Sequence, residues 1–160
     1  GGALAWYAKS TNKPAFTVEN VEHAYLNHKF YYPGAVTWNT VTVEMVDPVS
    51  PDVTATFSDI LRLSGYAPPA NANSLGSISK AKAAGALGTV IITQIDSDGR
   101  PLETWTLWNA FVKDFQLGQL SYGDDDLTTA TVELMYDWAR VETANPSVAV
   151  AGGGNAFFNT

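Results

Sequence analysis

The run LTTATVELMYDWA, residues 127 to 139, alternates cleanly through its centre, from Thr129 to Leu134. Ala130, Val132, Leu134, Tyr136 and Trp138 fall on one parity, and Thr129, Thr131, Glu133 and Asp137 on the other. Successive side chains of a strand point to opposite faces, so this pattern specifies a half-buried β-strand with one apolar and one polar face. The chain must supply a second layer to cover the apolar face, and that face, ending in Trp138, is expected to be core.

Other segments carry the same period. In VTVEM, Val41, Val43 and Met45 share a face, with Thr40, Thr42 and Glu44 opposite. Val36 and Trp38 have the other parity, which requires a bend or bulge near Asn39 if all five point inward. TVIITQI, a DSDG turn and RPLETWTLWNAF read as a hairpin. KDFQLGQLSY follows, with Phe115 and Leu117 on one parity and Gly118 as a bulge. One helix is expected over 51–64, with Ser50 as cap, Pro51 in the first turn and Gly65 as stop. Its apolar stripe is Val53, Phe57, Ile60, Leu61 and Leu63, which leaves Asp59 and Arg62 on the polar side. YAPPANANSLGSIS reads as loop, SISKAKAAG as a short helix of small core contribution, residues 1–29 as irregular with one short strand, and the Gly-rich tail as an arm.

ETWTLWNAF is apolar on both faces, since Trp105 and Leu107 have one parity and Trp108 and Ala110 the other. Such a strand is either central or in contact with another subunit. Trp105, Leu107, Trp108, Phe111, Tyr136 and Trp138 are therefore candidate core or inter-subunit residues. Their rival reading is a sugar-stacking face built from Trp105, Trp108, Trp138, Tyr122 and Tyr136.

Catalytic and metal-binding patterns are thin. The chain has no cysteine, so thiol catalysis and cysteine-ligated zinc are excluded. His23 and His28 are five apart, which puts them on opposite faces of a single strand. Asp124, Asp125 and Asp126 lack the downstream glutamate of a calcium loop, and DSDG lies between two strands. The GGG at 152–154 has no strand before it and no Lys-Ser/Thr after it. Neither a catalytic residue, a cofactor nor a metal is expected. Nine basic against 16 acidic residues give a net charge of −7, which opposes tight binding of phosphate backbones but not their passage through a conduit. No apolar run is long enough to span a bilayer.

The segment ETWTLWNAFVKDFQLGQLSYGDDDLTTATVELMYDWA resembles the tail tube protein family of contractile-tailed bacteriophages. The likeness rests on Trp105-Thr-Leu107, Asn109-Ala-Phe111, Leu117-Gly118, Tyr122, the acidic turn, and Val132-Glu133-Leu134 running to Tyr136-Asp137-Trp138. YYPGAVTWNTVTVEMVDP and LSGY add to it upstream. Ser121 departs from the pattern, where an acid is expected before the tyrosine. The resemblance covers residues 30–142, the expected β domain, and leaves arms at 1–29 and 143–160.

It implies a mainly β subunit, an antiparallel sandwich or barrel-like fold with one flanking helix, whose sheets join between subunits in six-fold rings. Stacked rings would form a hollow tube inside a contractile sheath on a baseplate, with DNA as non-sticking cargo. The place would be the virion tail, assembled in the host cytoplasm. Tubes of phage-like secretion or injection devices share the fold, and an acidic carbohydrate-binding sandwich is the rival from another class. In a closed ring Thr129, Thr131, Glu133 and Asp137 face the bore or the outside, and the bore is the preferred side because a negative lining repels DNA.

Overall fold

The strand with the clean alternation sits at the centre of the molecule. A computed structural model describes residues 8–47, 52–66, 68–69, 71, 76–118 and 128–143. Nine strands and two helices follow in order: β1 Ala8–Thr11, β2 Phe16–Tyr25, β3 His28–Trp38, β4 Val41–Val46, α1 Val53–Leu63, α2 Lys80–Leu87, β5 Val90–Ile95, β6 Pro101–Trp108, β7 Phe111–Leu117, β8 Thr129–Met135 and β9 Trp138–Thr143. They form three antiparallel sheets, ordered β1-β4-β8-β7, β2-β3 and β5-β6-β9. The chain is mainly β, as expected, but its sheets do not close into a barrel within one copy.

The apolar parity of β8 meets that of β4 in register, Val41 opposite Leu134, Val43 opposite Val132 and Met45 opposite Ala130. Met45, Ala130, Val132 and Leu134, with Val53 and Phe57 of α1, make one core cluster against which Val43 packs, and the Phe57 ring stacks on Phe115 of β7 at 4.6 Å. A second cluster gathers Val41, Leu107, Ala110, Tyr136 and Ala139, with Trp38, Ile92 and Trp105 against it. Val43, Leu87 and Val90 touch both clusters, which ties the four-stranded and three-stranded sheets into one body.

Several expectations are corrected. β8 ends at Met135, and the amide of Asp137 donates to the Trp108 carbonyl at 3.0 Å. The chain bends there and re-enters the other sheet as β9, so the parity of Trp138 is reset. It pairs with Trp108 and is 44% exposed, while its neighbour Ala139 is buried. Trp138 is not core in the single chain. The helix start is set by Asp52, whose carboxylate accepts from the Ala55 amide at 3.0 Å; Ser50 and Pro51 lie outside the described residues. Leu61 and Leu63 are exposed, so the docked stripe is narrower than the sequence suggests. The short helix expected in SISKAKAAG forms as α2, capped by Ser79 and with Ala83 as its buried residue, and stands beside the one flanking helix that the resemblance implies. Residues 8–29 hold β1, β2 and the start of β3 instead of an irregular segment with one short strand. The acidic turn, Ser121, Tyr122 and residues 144–160 lie outside the described residues. Among the described residues no helix is long and apolar enough to cross a membrane.

Leu107→Ala is expected to cost about 2–5 kcal/mol in urea melts, because a buried leucine leaves a cavity. Trp138→Ala should cost only the ring contact with Trp108, about 0.5–1.5 kcal/mol. A Trp138 effect equal to that of Leu107 would contradict this placement.

Candidate assembly interface

The four-stranded sheet ends at β1 on one side and β7 on the other. Its three pairings are all antiparallel, so with four strands β1 and β7 run in opposite directions. Among the described residues no further strand pairs with either edge, and such an edge is a template for another strand.

One face of this sheet is core and the other polar. Glu133 lies opposite Thr42, and Thr131 opposite Glu44 on one side and Gln116 on the other. Two register shifts, between Ala8 and Ser10 and between Val112 and Asp114, fall where a lysine reaches this face. Lys9 Nζ lies 3.1 Å from Glu44, which also accepts from Ser10 Oγ at 3.0 Å. Lys113 Nζ lies 2.9 Å from Glu133. These bonds hold both carboxyls below the usual carboxylate range, through Lys9 and Ser10 for Glu44 and through Thr40 and Lys113 for Glu133. Gln116 donates to Asp114 at 2.7 Å. The described face thus carries Glu44, Glu133 and Asp114 against Lys9 and Lys113, and is close to charge-compensated.

Of the four candidate bore residues, Thr129, Thr131 and Glu133 share this face and Asp137 does not. Asp137 sits in the bend after β8, where its carboxylate accepts from Lys80 of α2 at 2.7 and 2.8 Å and from Asn109 Nδ2 at 2.9 Å. Those bonds, Lys80 foremost, lower its pKa. Asn109 has φ of 53°, a left-handed conformation that its short amide tolerates at the β6–β7 turn. This clip joins residues 57 apart in sequence and left no local signal.

The aromatic candidates divide. Leu107 and Tyr136 are buried, and burial pushes the Tyr136 phenol up. Trp105 is half-buried, and its indole donates to Glu103 at 3.3 Å, a carboxylate also held by Lys13 at 2.7 Å. Phe111 is half-buried. Trp108 and Trp138 are exposed and stack on each other, centroids 6.1 Å apart at 17°, with the Arg140 guanidinium 5.3 Å from the Trp108 centroid. The two rings pack together instead of spreading flat as a sugar platform.

The β2–β3 hairpin is an element that no pattern in the sequence announces. Leu26 and Asn27 both have positive φ, forming the two-residue turn whose twist matches a hairpin. The pairing runs from Tyr25–His28 to Phe16–Trp38 and shifts between Val18 and Asn20. Gly34 sits at that bulge, where an added Cβ would lie 3.0 Å from the Glu19 carbonyl. Both strands are exposed along nearly their full length. The two histidines, on different strands, share one face of the ribbon rather than opposite faces. Among the described residues no cluster of three His, Asp or Glu could hold a metal.

An apolar groove of about 650 Å³ runs between α1 and β7, lined by Phe57, Ile60, Leu61, Ile78, Phe115 and Leu117 among others.

Solved structures share this fold. A chain of the anti-feeding prophage baseplate, determined by cryo-EM with six-fold symmetrisation, matches with a TM-score of 0.60 and 20% identity, over 83% of this chain and 78% of that one. A chain from the cap terminating the anti-feeding prophage tube gives 0.61 and 19%, over 86% and 80%. One from the extended sheath–tube complex of PVC, an extracellular contractile injection system, gives 0.57 and 14%, over 84% and 82%. No protein-family model and no curated protein matches the sequence. The chain therefore has a fold found in the tube, cap and baseplate assemblies of contractile injection systems.

A carboxylate with a depressed pKa stabilises the fold above its ordinary value, about 3.9 for Asp, and loses that contribution as pH falls through the lower folded value. In Lys80→Met the Asp137 carboxyl, followed by carbon NMR, is expected to titrate closer to the ordinary value. The stability gap between wild type and variant should be largest near neutral pH and shrink in acid. An unchanged Asp137 titration would contradict the clip.

Proposed function

We propose that this chain is a tube subunit of a contractile machine. Copies join through the open edges of the four-stranded sheet into closed six-fold rings, and rings stack into a hollow conduit with sheath and baseplate as further partners. The observation that carries this reading is the antiparallel relation of β1 and β7. When copies are related by rotation about an axis, β7 of one and β1 of the next run in opposite directions, so a regular antiparallel ladder continues around the ring and no edge remains. The likeness to a chain from a six-fold symmetrised baseplate supports the ring order. The apolar face of the sheet is already covered by α1 and by its own body, which leaves the polar face for the lumen.

On this reading Thr42, Glu44, Thr129, Thr131 and Glu133 line the bore, and Asp137 belongs to the α2 side. The lining is rich in hydroxyls and its lysines compensate two of its carboxylates, so it avoids adsorption by near-neutrality more than by negative charge. The similarity to chains of the anti-feeding prophage and of an extracellular contractile injection system favours a phage-like injection device. A virion tail tube carrying DNA, assembled in a bacterial cytoplasm, is the alternative setting for the same subunit. No enzymatic step is assigned.

A proline scan of β7, from Val112 to Gln116, tests the edge joint. Proline lacks an amide donor and is tolerated only where that amide does not bond within the sheet. Positions at which proline leaves the circular dichroism spectrum unchanged are those facing the open edge. At those positions rings should be lost in sedimentation velocity; folded proline variants that all still form rings would refute the joint. For the lumen, Glu133→Lys replaces a carboxylate paired with Lys113 by a second cation in every copy. Assembled variant tubes are expected to retain a fluorescent oligonucleotide at about 50 mM salt and release it at higher salt, the dependence expected of phosphate contacts. Equal retention by wild type and variant would place Glu133 outside the bore.

A further inference from the structure

The hairpin of β2 and β3 carries two different faces. On one, Phe16 and Trp38 turn toward the body, with the Trp38 ring 5.4 Å from Phe16 and 6.0 Å from the Tyr136 ring. By the strand period, Val18, Asn20, Glu22 and Ala24 share that side of β2. The opposite side of the distal half is made by Val21, His23 and Tyr25 on β2, facing Tyr32, Phe30 and His28 on β3. Val21, Tyr25, Phe30 and Tyr32 are all exposed, and the six positions include no acid, lysine or arginine. Glu22 and Lys29 hold each other at 2.9 Å on the other side. Glu19 shares the parity of His23 but lies toward the base, about 13 Å along the strand.

A two-stranded ribbon is marginal in water by itself, so an aromatic face without charge requires a cover. The proposed ring supplies one. If β1 of one copy extends the β7 edge of the next, the hairpin of the first emerges beside that edge, because β2 begins at Phe16 shortly after β1 ends at Thr11. What lies along β7 is the apolar groove against α1, and the distal half of the hairpin, from Val21 to Tyr25, offers an apolar face about 13 Å long to it.

We infer that the histidine-bearing face of the hairpin docks into the α1–β7 groove of a second copy, and that this makes assembly proton-linked. The inference rests on the tube reading. His23 and His28 lie on adjacent cross-strand pairs, about 7 Å apart on the diagonal, and both enter an apolar contact in the neutral form. Imidazoles take up a proton between pH 8 and 5, and a protonated ring is far harder to bury than a neutral one. The charged groups at the groove are Lys113, which is held by Glu133, and Asp114, which is held by Gln116; Tyr25 and Tyr32 are the other titratable groups on the hairpin face. Burial disfavours the charged imidazole in the assembled state, so free copies bind more protons than assembled ones. Assembly therefore weakens as pH falls, by up to about tenfold in the association constant per pH unit for each histidine.

Two measurements test this. The association constant of the full chain is followed by sedimentation velocity between pH 8 and 5.5, for wild type and for the His23→Gln/His28→Gln variant. Wild type should weaken steeply and the variant should stay nearly flat. Equal slopes in the two proteins, or a flat wild-type profile, would overturn the proton linkage. The chain has no cysteine, so oxidation of a Tyr32→Cys/Leu61→Cys variant reports the contact directly. A ladder of covalent oligomers is expected, and its absence from assembled preparations would overturn the docking site. If no assembly occurs at any pH, the tube reading fails and the inference falls with it, a result distinct from assembly that ignores pH.

Discussion

An unpaired sheet edge is the constraint on which the rest of this structure depends. Each edge amide and carbonyl loses a partner when water is excluded, and a polypeptide must blunt, cover or pair such edges to stay soluble. Among the described residues the four-stranded sheet has no strand beyond β1 or β7, and its strand count leaves these two antiparallel to each other. Among the described residues nothing in a single copy joins them: the three sheets are separate, and β7 is bordered on its α1 side by a groove. A ring of copies does. The same argument explains why so many aromatic and aliphatic side chains lie on the surface of one chain, above all on the hairpin.

β8 is the element that makes this arrangement possible. Its apolar parity anchors β4 and β7 over α1, while its polar parity builds the hydroxyl-rich face opposite. Its end is equally consequential. The bend at Tyr136 and Asp137, fixed by the amide bond to Trp108 and by the Lys80 clip, sends the chain from one sheet into the other, and Tyr136 is left buried where the second cluster begins. Stability and the polar face therefore depend on the same short segment.

Much of this was legible in the sequence. Ala130, Val132 and Leu134 are buried as their parity requires, the DSDG turn closes β5 onto β6, and α1 appears where its stripe and stop signal place it. The failures have physical causes. Trp138 departs from the core place its parity predicts because a period continued through Asp137 takes no account of a bend made by a hydrogen bond to a distant carbonyl. The hairpin escaped because Leu26-Asn27 is not one of the glycine-containing pairs that mark such turns, and because the bulge at Glu19 and Gly34 breaks the alternation midway. For the same reason the two histidines, expected on opposite faces of one strand, share a face across two. α2, by contrast, forms where SISKAKAAG announces a short helix, and its single buried residue, Ala83, matches the small core contribution expected of it. The pairing of Lys9 with Glu44 and of Lys113 with Glu133, which sets the charge of the polar face, depends on register shifts that no local pattern announces.

The central claim is that identical copies of this chain close into rings through β1 and β7. Electron microscopy of the purified chain at high concentration tests it most directly. The account requires rings or stacked tubes with a central bore and six-fold symmetry, with continuous density between β7 of one copy and β1 of the next. Monodisperse small particles at every concentration, or rings in which those two strands lie apart, would contradict it.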